Sequence, residues 1–223
     1  MAGRTEHGAQ PGSKPSTLPA IFLMTVQDLK AKHDRLKKLD KPGLFRNGTY
    51  KIFGSETHQY KYNPCLTNDY VKKFEQSFSI SLPFDYKYFI TQIGNGGSGP
   101  YYGLFTLSDW DFELEIKDKN FLSTNFPHTD KWNIIQDDVI DYDDENEMKK
   151  YLAQVTGSMR ICHYGCGVYY LLVVTGDKAG HIWVDDRASD NGIYQSVSKS
   201  TGKHQTFFDW YNDWLDESLS QFP

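Results

Sequence analysis

The sequence predicts an α+β fold, with helices set against a β-sheet, on three observations. Two capped helical patterns stand side by side over residues 67–94. β-branched and aromatic runs fill residues 160–184, and an amphipathic helical pattern closes the chain. The 223 residues suffice for one large domain or one domain with an extension.

Residues 1–20 are rich in Gly, Pro and Ser and poor in apolar side chains. Such a segment cannot bury enough surface to offset its ordering entropy, so a disordered tail is expected. An N-terminal extension over 21–66 follows, a helix plus an arm. Val26, Leu29, His33, Leu36 and Leu39 recur at helical spacing over 25–39, and Lys41-Pro42-Gly43 ends the pattern. The stretch 44–62 predicts a hairpin or a packed irregular arm. The main domain is expected over 67–223. There Thr67 or Asn68 caps one helix, with Tyr70, Val71, Phe74 and Phe78 on its apolar face. Pro83 suits the first turn of the next helix, Phe84, Tyr88, Ile90 and Ile93 supply its buried face, and Gly94 is its C-terminal cap.

Residues 94–100 then form a glycine-rich loop, and Tyr101–Leu107 reads as a strand. Residues 109–147 hold thirteen acids against three lysines, and this segment is expected to wrap over the surface. The runs 160–164, 168–174 and 180–184 are strands. The second is apolar on both faces and therefore central, and Gly176–Gly180 turns it into the third. A helix over about 206–219 buries Phe207, Phe208, Trp210, Tyr211, Trp214 and Leu215.

Composition excludes several functions. The net charge of −5 disfavours a uniformly basic nucleic-acid binder. No window approaches the roughly 18 apolar residues of a membrane span, and no secretory leader is recognisable in the first residues. Three cysteines are too few for a disulfide scaffold, so a reducing cytoplasmic setting is expected. No direct nucleic-acid or membrane partner follows from this composition.

Each candidate chemistry has a simpler structural reading. The glycine loop follows a helix and precedes a strand, the reverse of a phosphate cradle, and no lysine follows it. Cys162, His163 and Cys166 lack the second close pair that a structural zinc site needs, and neighbours on a strand point to opposite faces. Asp185 and Asp186 could serve as an acid pair or hold a metal. More simply, Asp185 caps a turn and Arg187 pairs with an acid. No cofactor is expected. The acidic segment is either a solvated linker with the charged first turn of a helix near Glu145, or a negative surface for a basic partner.

Two stretches together resemble the SUKH superfamily, which includes the fungal cell-wall assembly regulator and many bacterial immunity proteins. The first is Leu82-Pro83-Phe84-Asp85-Tyr86-Lys87-Tyr88-Phe89, then Asn95-Gly96-Gly97 and Gly99-Pro100-Tyr101-Tyr102-Gly103-Leu104. The second is Gly165-Cys166-Gly167, Leu172-Val173-Val174-Thr175-Gly176 and Gly180-His181-Ile182-Trp183-Val184-Asp185. The ordered set covers roughly residues 67–219. The resemblance implies an α+β fold with helices on a central, mostly antiparallel sheet. It also makes Pro83, Tyr86, Gly96, Gly97, Gly99, Pro100, Gly103, Gly180, Trp183 and Asp185 parts of a scaffold, and Pro83 opens a helix while Trp183 anchors the core.

Members of that family are generally not enzymes and bind protein partners. The expectation is therefore an immunity protein that occludes a cognate toxin, a basic nuclease being one such target. The acids expected to meet it are Asp109, Asp111, Glu113, Glu115, Asp137, Asp138, Asp141, Asp143, Asp144 and Glu145. The alternatives are a regulatory or signalling scaffold of the cell-wall-regulator type and an enzyme using Asp185, Asp186 or Cys162.

Overall fold

The protein, here as a computed structural model describing residues 20–43, 48–133 and 144–223, is built around a four-stranded antiparallel meander. Its strands are β1 (Ser158–Gly165), β2 (Val168–Val173), β3 (Ile182–Asp186) and β4 (Gly192–Gln195), in spatial order β1-β2-β3-β4. The apolar run of β2 lies inside the sheet as expected. β4 was not foreseen, because a four-residue strand opened by glycine gives almost no periodic signal.

The register sorts the sheet's residues into two faces. Tyr169 pairs with Asp185 and Leu171 with Trp183, so these four share one face. Tyr170, Leu172, Ile182 and Val184 share the other. A register shift between Arg160 and Cys162 marks a bulge in β1, which returns His163 to the face of Tyr169.

Helices cover the face of Tyr170. Helix α6 (Phe207–Leu219) lays Trp210 against Tyr170, with ring centroids 5.1 Å apart, and begins with a Thr206/Asp209 capping box. Helix α4 (Phe84–Gln92) meets α6 through Phe89, 5.1 Å from Phe207 and 5.0 Å from Tyr211. Pro83 sits one position outside the predicted first turn, at the N-cap. The buried face of α4 is Tyr86, Phe89 and Ile90, whereas Phe84 is 54% exposed. Asp85 explains the rotation: its carboxylate accepts the backbone N–H of Phe208 at 3.1 Å and so fixes how α4 meets the start of α6. Helix α3 (Asn68–Phe78) has Thr67 as its N-cap, accepting from the Tyr70 N–H.

The N-terminal residues join the same core. Helix α1 (Ala20–Leu39) packs on α6, and Val26, Leu29 and Leu36 belong to the main cluster. Asp40, 1% exposed, accepts the N–H groups of Lys51 and Ile52 at 2.7 and 3.1 Å and the Tyr60 hydroxyl at 2.5 Å. Among the described residues of 44–62 there is no hairpin. The arm instead holds the short helix α2 (Ser55–His58), closed around Asp40.

An irregular segment covers the face of Trp183. Trp110, Leu114, Phe121, Leu122 and Phe126 are buried, so the acidic stretch supplies core as well as surface. Each such side chain stabilises the fold by about 2–3 kcal/mol. Phe126 meets Trp183 at 4.9 Å, and backbone bonds from Arg160 N–H to the Trp110 carbonyl and from Phe126 N–H to the Thr175 carbonyl stitch the segment to the sheet. Helix α5 (Glu145–Ala153) begins where the charge pattern placed it.

Candidate functional site

The predicted strand Tyr101–Leu107 is absent. In its place, single bridges join Gly97 to Tyr62 and to Leu104, and Leu104 to Cys162. Glycine dictates this. Gly97 has φ +91° and Gly103 φ +96°, and a Cβ on Gly97 would lie 2.4 Å from the Lys61 carbonyl oxygen. The backbone folds back too sharply for a ladder. Gly96, φ +80°, is confined by the Phe105 and Leu104 carbonyls and Gly99 by the Leu104 side chain, and the Pro100 carbonyl accepts from the buried Cys162 thiol at 3.2 Å. Gly94 is no left-handed cap; a Cβ there would strike the Tyr62 Cβ, 2.6 Å away.

The turn also aims the next segment. Asn95 Oδ1 accepts the Leu107 N–H at 2.9 Å, and a single 3₁₀ turn, Leu107–Asp109, follows. The chain then presents Asp109, Asp111, Glu113 and Glu115 around a shallow open depression of about 500 Å³. Trp110 and Leu114 point inward and hold this loop down. Asp109, Glu113 and Glu115 are exposed and Asp111 half-buried. Glu113 has φ +58° and receives the hydroxyl of Tyr169.

The remaining predicted acids differ. Asp144 is the N-cap of α5 and accepts the N–H groups of Asn146 and Glu147 at 2.7 and 3.1 Å. Glu145 projects from the first turn, 3.9 Å from Lys117. Asp137, Asp138, Asp141 and Asp143 lie outside the described residues.

The residues weighed for catalysis are engaged structurally. Asp185 forms a two-point ion pair with Arg187, both contacts 2.7 Å, with side chains 3% and 6% exposed. Arg187 also donates to the Tyr151 carbonyl at 2.8 Å and lies 3.6 Å over the Tyr151 ring. Asp186 Oδ2 accepts from Asn191 and Tyr194. Burial holds the Cys162 thiol well above its ordinary pKa, the opposite of nucleophile activation. Cys166, exposed at the β1–β2 turn, does not join it. Among the described residues, no group of His, Cys, Asp and Glu could hold a metal ion. No described helix is long and apolar enough to cross a membrane.

The motif residues Tyr86 and Trp183 are buried, and Gly180, φ +89°, turns in open space between β2 and β3. A family model, the SMI1 / KNR4 family (SUKH-1), matches residues 65–211. The chain belongs to this family. No curated protein and no solved structure matches it. The SUKH-1 match takes in the glycine turn, the acidic loop, all four strands and the start of α6, while α1 and α2 lie outside it.

Sequence reasoning also missed a surface feature of this SUKH-1 protein. Phe53, Tyr102 and Tyr164 are 57%, 37% and 45% exposed, and they gather on one surface. Phe53 lies 5.2 Å from Tyr102 and 6.3 Å from Tyr164. Each comes from a different segment, so no local pattern announces the cluster.

Proposed function

We propose that this SUKH-1 protein is a non-enzymatic protein-binding module, an immunity protein that neutralises a cognate toxin by occupying the surface its substrate needs. One observation carries this reading: four acids stand on a loop whose backbone is clamped by Asn95, Trp110 and Leu114. A fixed negative surface speeds encounter with a basic partner such as a nuclease and disfavours acidic ones. The family supports it, since SUKH members generally bind proteins. The engagement of Asp185 and Cys162 in packing supports a scaffold over a reaction centre. In this reading the protein acts stoichiometrically, in the cytoplasm, without a cofactor.

The test is co-expression with the toxin encoded beside its gene. Protection and a one-to-one complex are expected. Asp109→Asn/Asp111→Asn/Glu115→Gln should weaken both, with the loss greatest at low salt and shrinking as salt rises. No protection and no complex with the intact protein would overturn the proposal.

A further inference from the structure

The exposed rings end a stack that runs inward from the surface. Tyr102 lies 5.9 Å from His163, His163 stacks on Tyr169 at 4.7 Å, and the Arg160 guanidinium lies 3.6 Å over the Tyr169 ring. The Tyr169 hydroxyl reaches Glu113 and Arg160 Nη1 donates to the Phe112 carbonyl, so the stack's inner end sits under the acidic loop. The outer end is open to solvent at Phe53, Tyr102 and Tyr164.

The outer rings are held by close backbone contacts. Gly54, φ +78°, passes Tyr101 so closely that a Cβ would sit 2.2 Å from its carbonyl oxygen. Gly165, φ +119°, leaves 3.3 Å between such a Cβ and the Tyr102 ring. Tyr164 rests on Tyr101 at 4.5 Å, and Tyr101 shares a hydroxyl hydrogen bond with Tyr170. Rigid exposed aromatics bind at small entropic cost, and a contiguous set of them marks an interaction surface.

Charge selects the occupant. Twice this protein seats a guanidinium 3.6 Å over a tyrosine ring, at Tyr169 and at Tyr151. The outer rings offer further ring faces at the other end of the stack whose inner end meets Glu113 of the acidic loop. We infer that Phe53, Tyr102 and Tyr164 are the anchor for arginine side chains on a basic protein partner, with the acids of residues 109–115 as the flanking charge. This deepens, and rests on, the toxin-binding reading. Because Phe53 lies outside the family match, it also makes the N-terminal addition part of the recognition surface.

The experiment compares a fluorescein-labelled oligoarginine peptide with an oligolysine peptide of equal length, by anisotropy at fixed salt. Coulomb attraction alone treats them alike, whereas ring faces favour the planar guanidinium. Wild type should bind the arginine peptide about fivefold tighter. Phe53→Ala/Tyr164→Ala should erase that preference while Asp109→Asn/Asp111→Asn/Glu115→Gln weakens both peptides together. Phe53→Leu and Tyr164→Leu, which keep the apolar bulk without the ring, should behave like the alanine pair if each melts as wild type does. Equal binding of the two peptides to wild type, binding of neither, or a preference that survives ring removal would overturn the inference. Toxin protection lost in the acid variant but kept in the ring variants, with no arginine preference, would sink this inference and spare the acidic-loop reading.

Discussion

Gly97 and Glu113 both hold positive φ, +91° and +58°, for different reasons. Gly97 is enclosed by the Lys61 carbonyl on one side and bridged to Leu104 on the other, so its conformation answers to the interior. Glu113 turns outward beside the buried Leu114 and meets the sheet through Tyr169. The glycine turn is fixed by close approach of backbone, and the acidic loop by two apolar pins with side-chain ties from Tyr169 and Arg160 between them. The acids divide the same way: Asp185 is enclosed with Arg187, while Glu115 faces water. Interior-facing positions therefore specify the fold, and the outward side chains of Asp111 and Glu115 can change at little structural cost.

The strongest way to break that contrast is at the enclosed acid. Asp185→Ala leaves Arg187 buried without its two-point partner, and should cost about 3–5 kcal/mol in urea unfolding. Replacing both, as Asp185→Leu/Arg187→Met, should recover most of the loss. A single substitution costing under about 1 kcal/mol would place Asp185 among the tolerant positions. Next comes Gly97→Ala, where a left-handed residue meets a carbonyl 2.4 Å from its new Cβ. A cost of about 3 kcal/mol is expected. Gly180→Ala is the control: φ is +89°, but nothing lies within 4 Å, so only the backbone penalty of about 1 kcal/mol should appear. Equal melting temperatures for the two variants would show that close approach is not what fixes the turn.

How much of this was legible in the sequence follows the same division. Caps and periodic runs gave α3, α6 and three strands, because the Thr67 cap, the apolar spacing of 207–215 and the β2 run act locally. The strand expected over 101–107 failed because Gly97 and Gly103 meet each other across the turn, a non-local constraint that a β-rich string conceals. Phe84 was assigned inward by spacing alone, yet the tie from Asp85 to α6 rotates it out. Of the candidate surface, the acids were readable as charge density. The split between Asp144 as a cap and Glu115 as a free group was not, and neither was the meeting of Phe53, Tyr102 and Tyr164.

The histidines sharpen the inward side by pH. His33 donates to or accepts from Ser98 at 2.9 Å and stacks on Tyr62 at 4.4 Å, and His58 lies edge-on to Tyr60. Burial lowers both to about 4. The folded state then favours the neutral rings. Their contribution is complete above about pH 6.5 and falls as pH drops toward 4, because the unfolded chain takes up protons first. The loss is on the order of 2 kcal/mol per histidine by pH 5. His33→Gln/His58→Gln should flatten the stability profile between pH 6.5 and 5. A wild-type profile already flat there would show that α1 and α2 open to water without disturbing the core.

The smallest effect is expected on the outward side. Asp111→Asn and Glu115→Gln remove charge where like-charged neighbours repel and where no described ion pair is lost. Stability should move by less than about 0.5 kcal/mol, with any change toward higher stability at low salt. The same variants are the ones expected to weaken toxin binding, so the two measurements together separate a surface kept for recognition from one kept for folding. A melting temperature lowered as much as in Gly97→Ala would mean that these acids hold the loop in place, and the division between the two turns would dissolve.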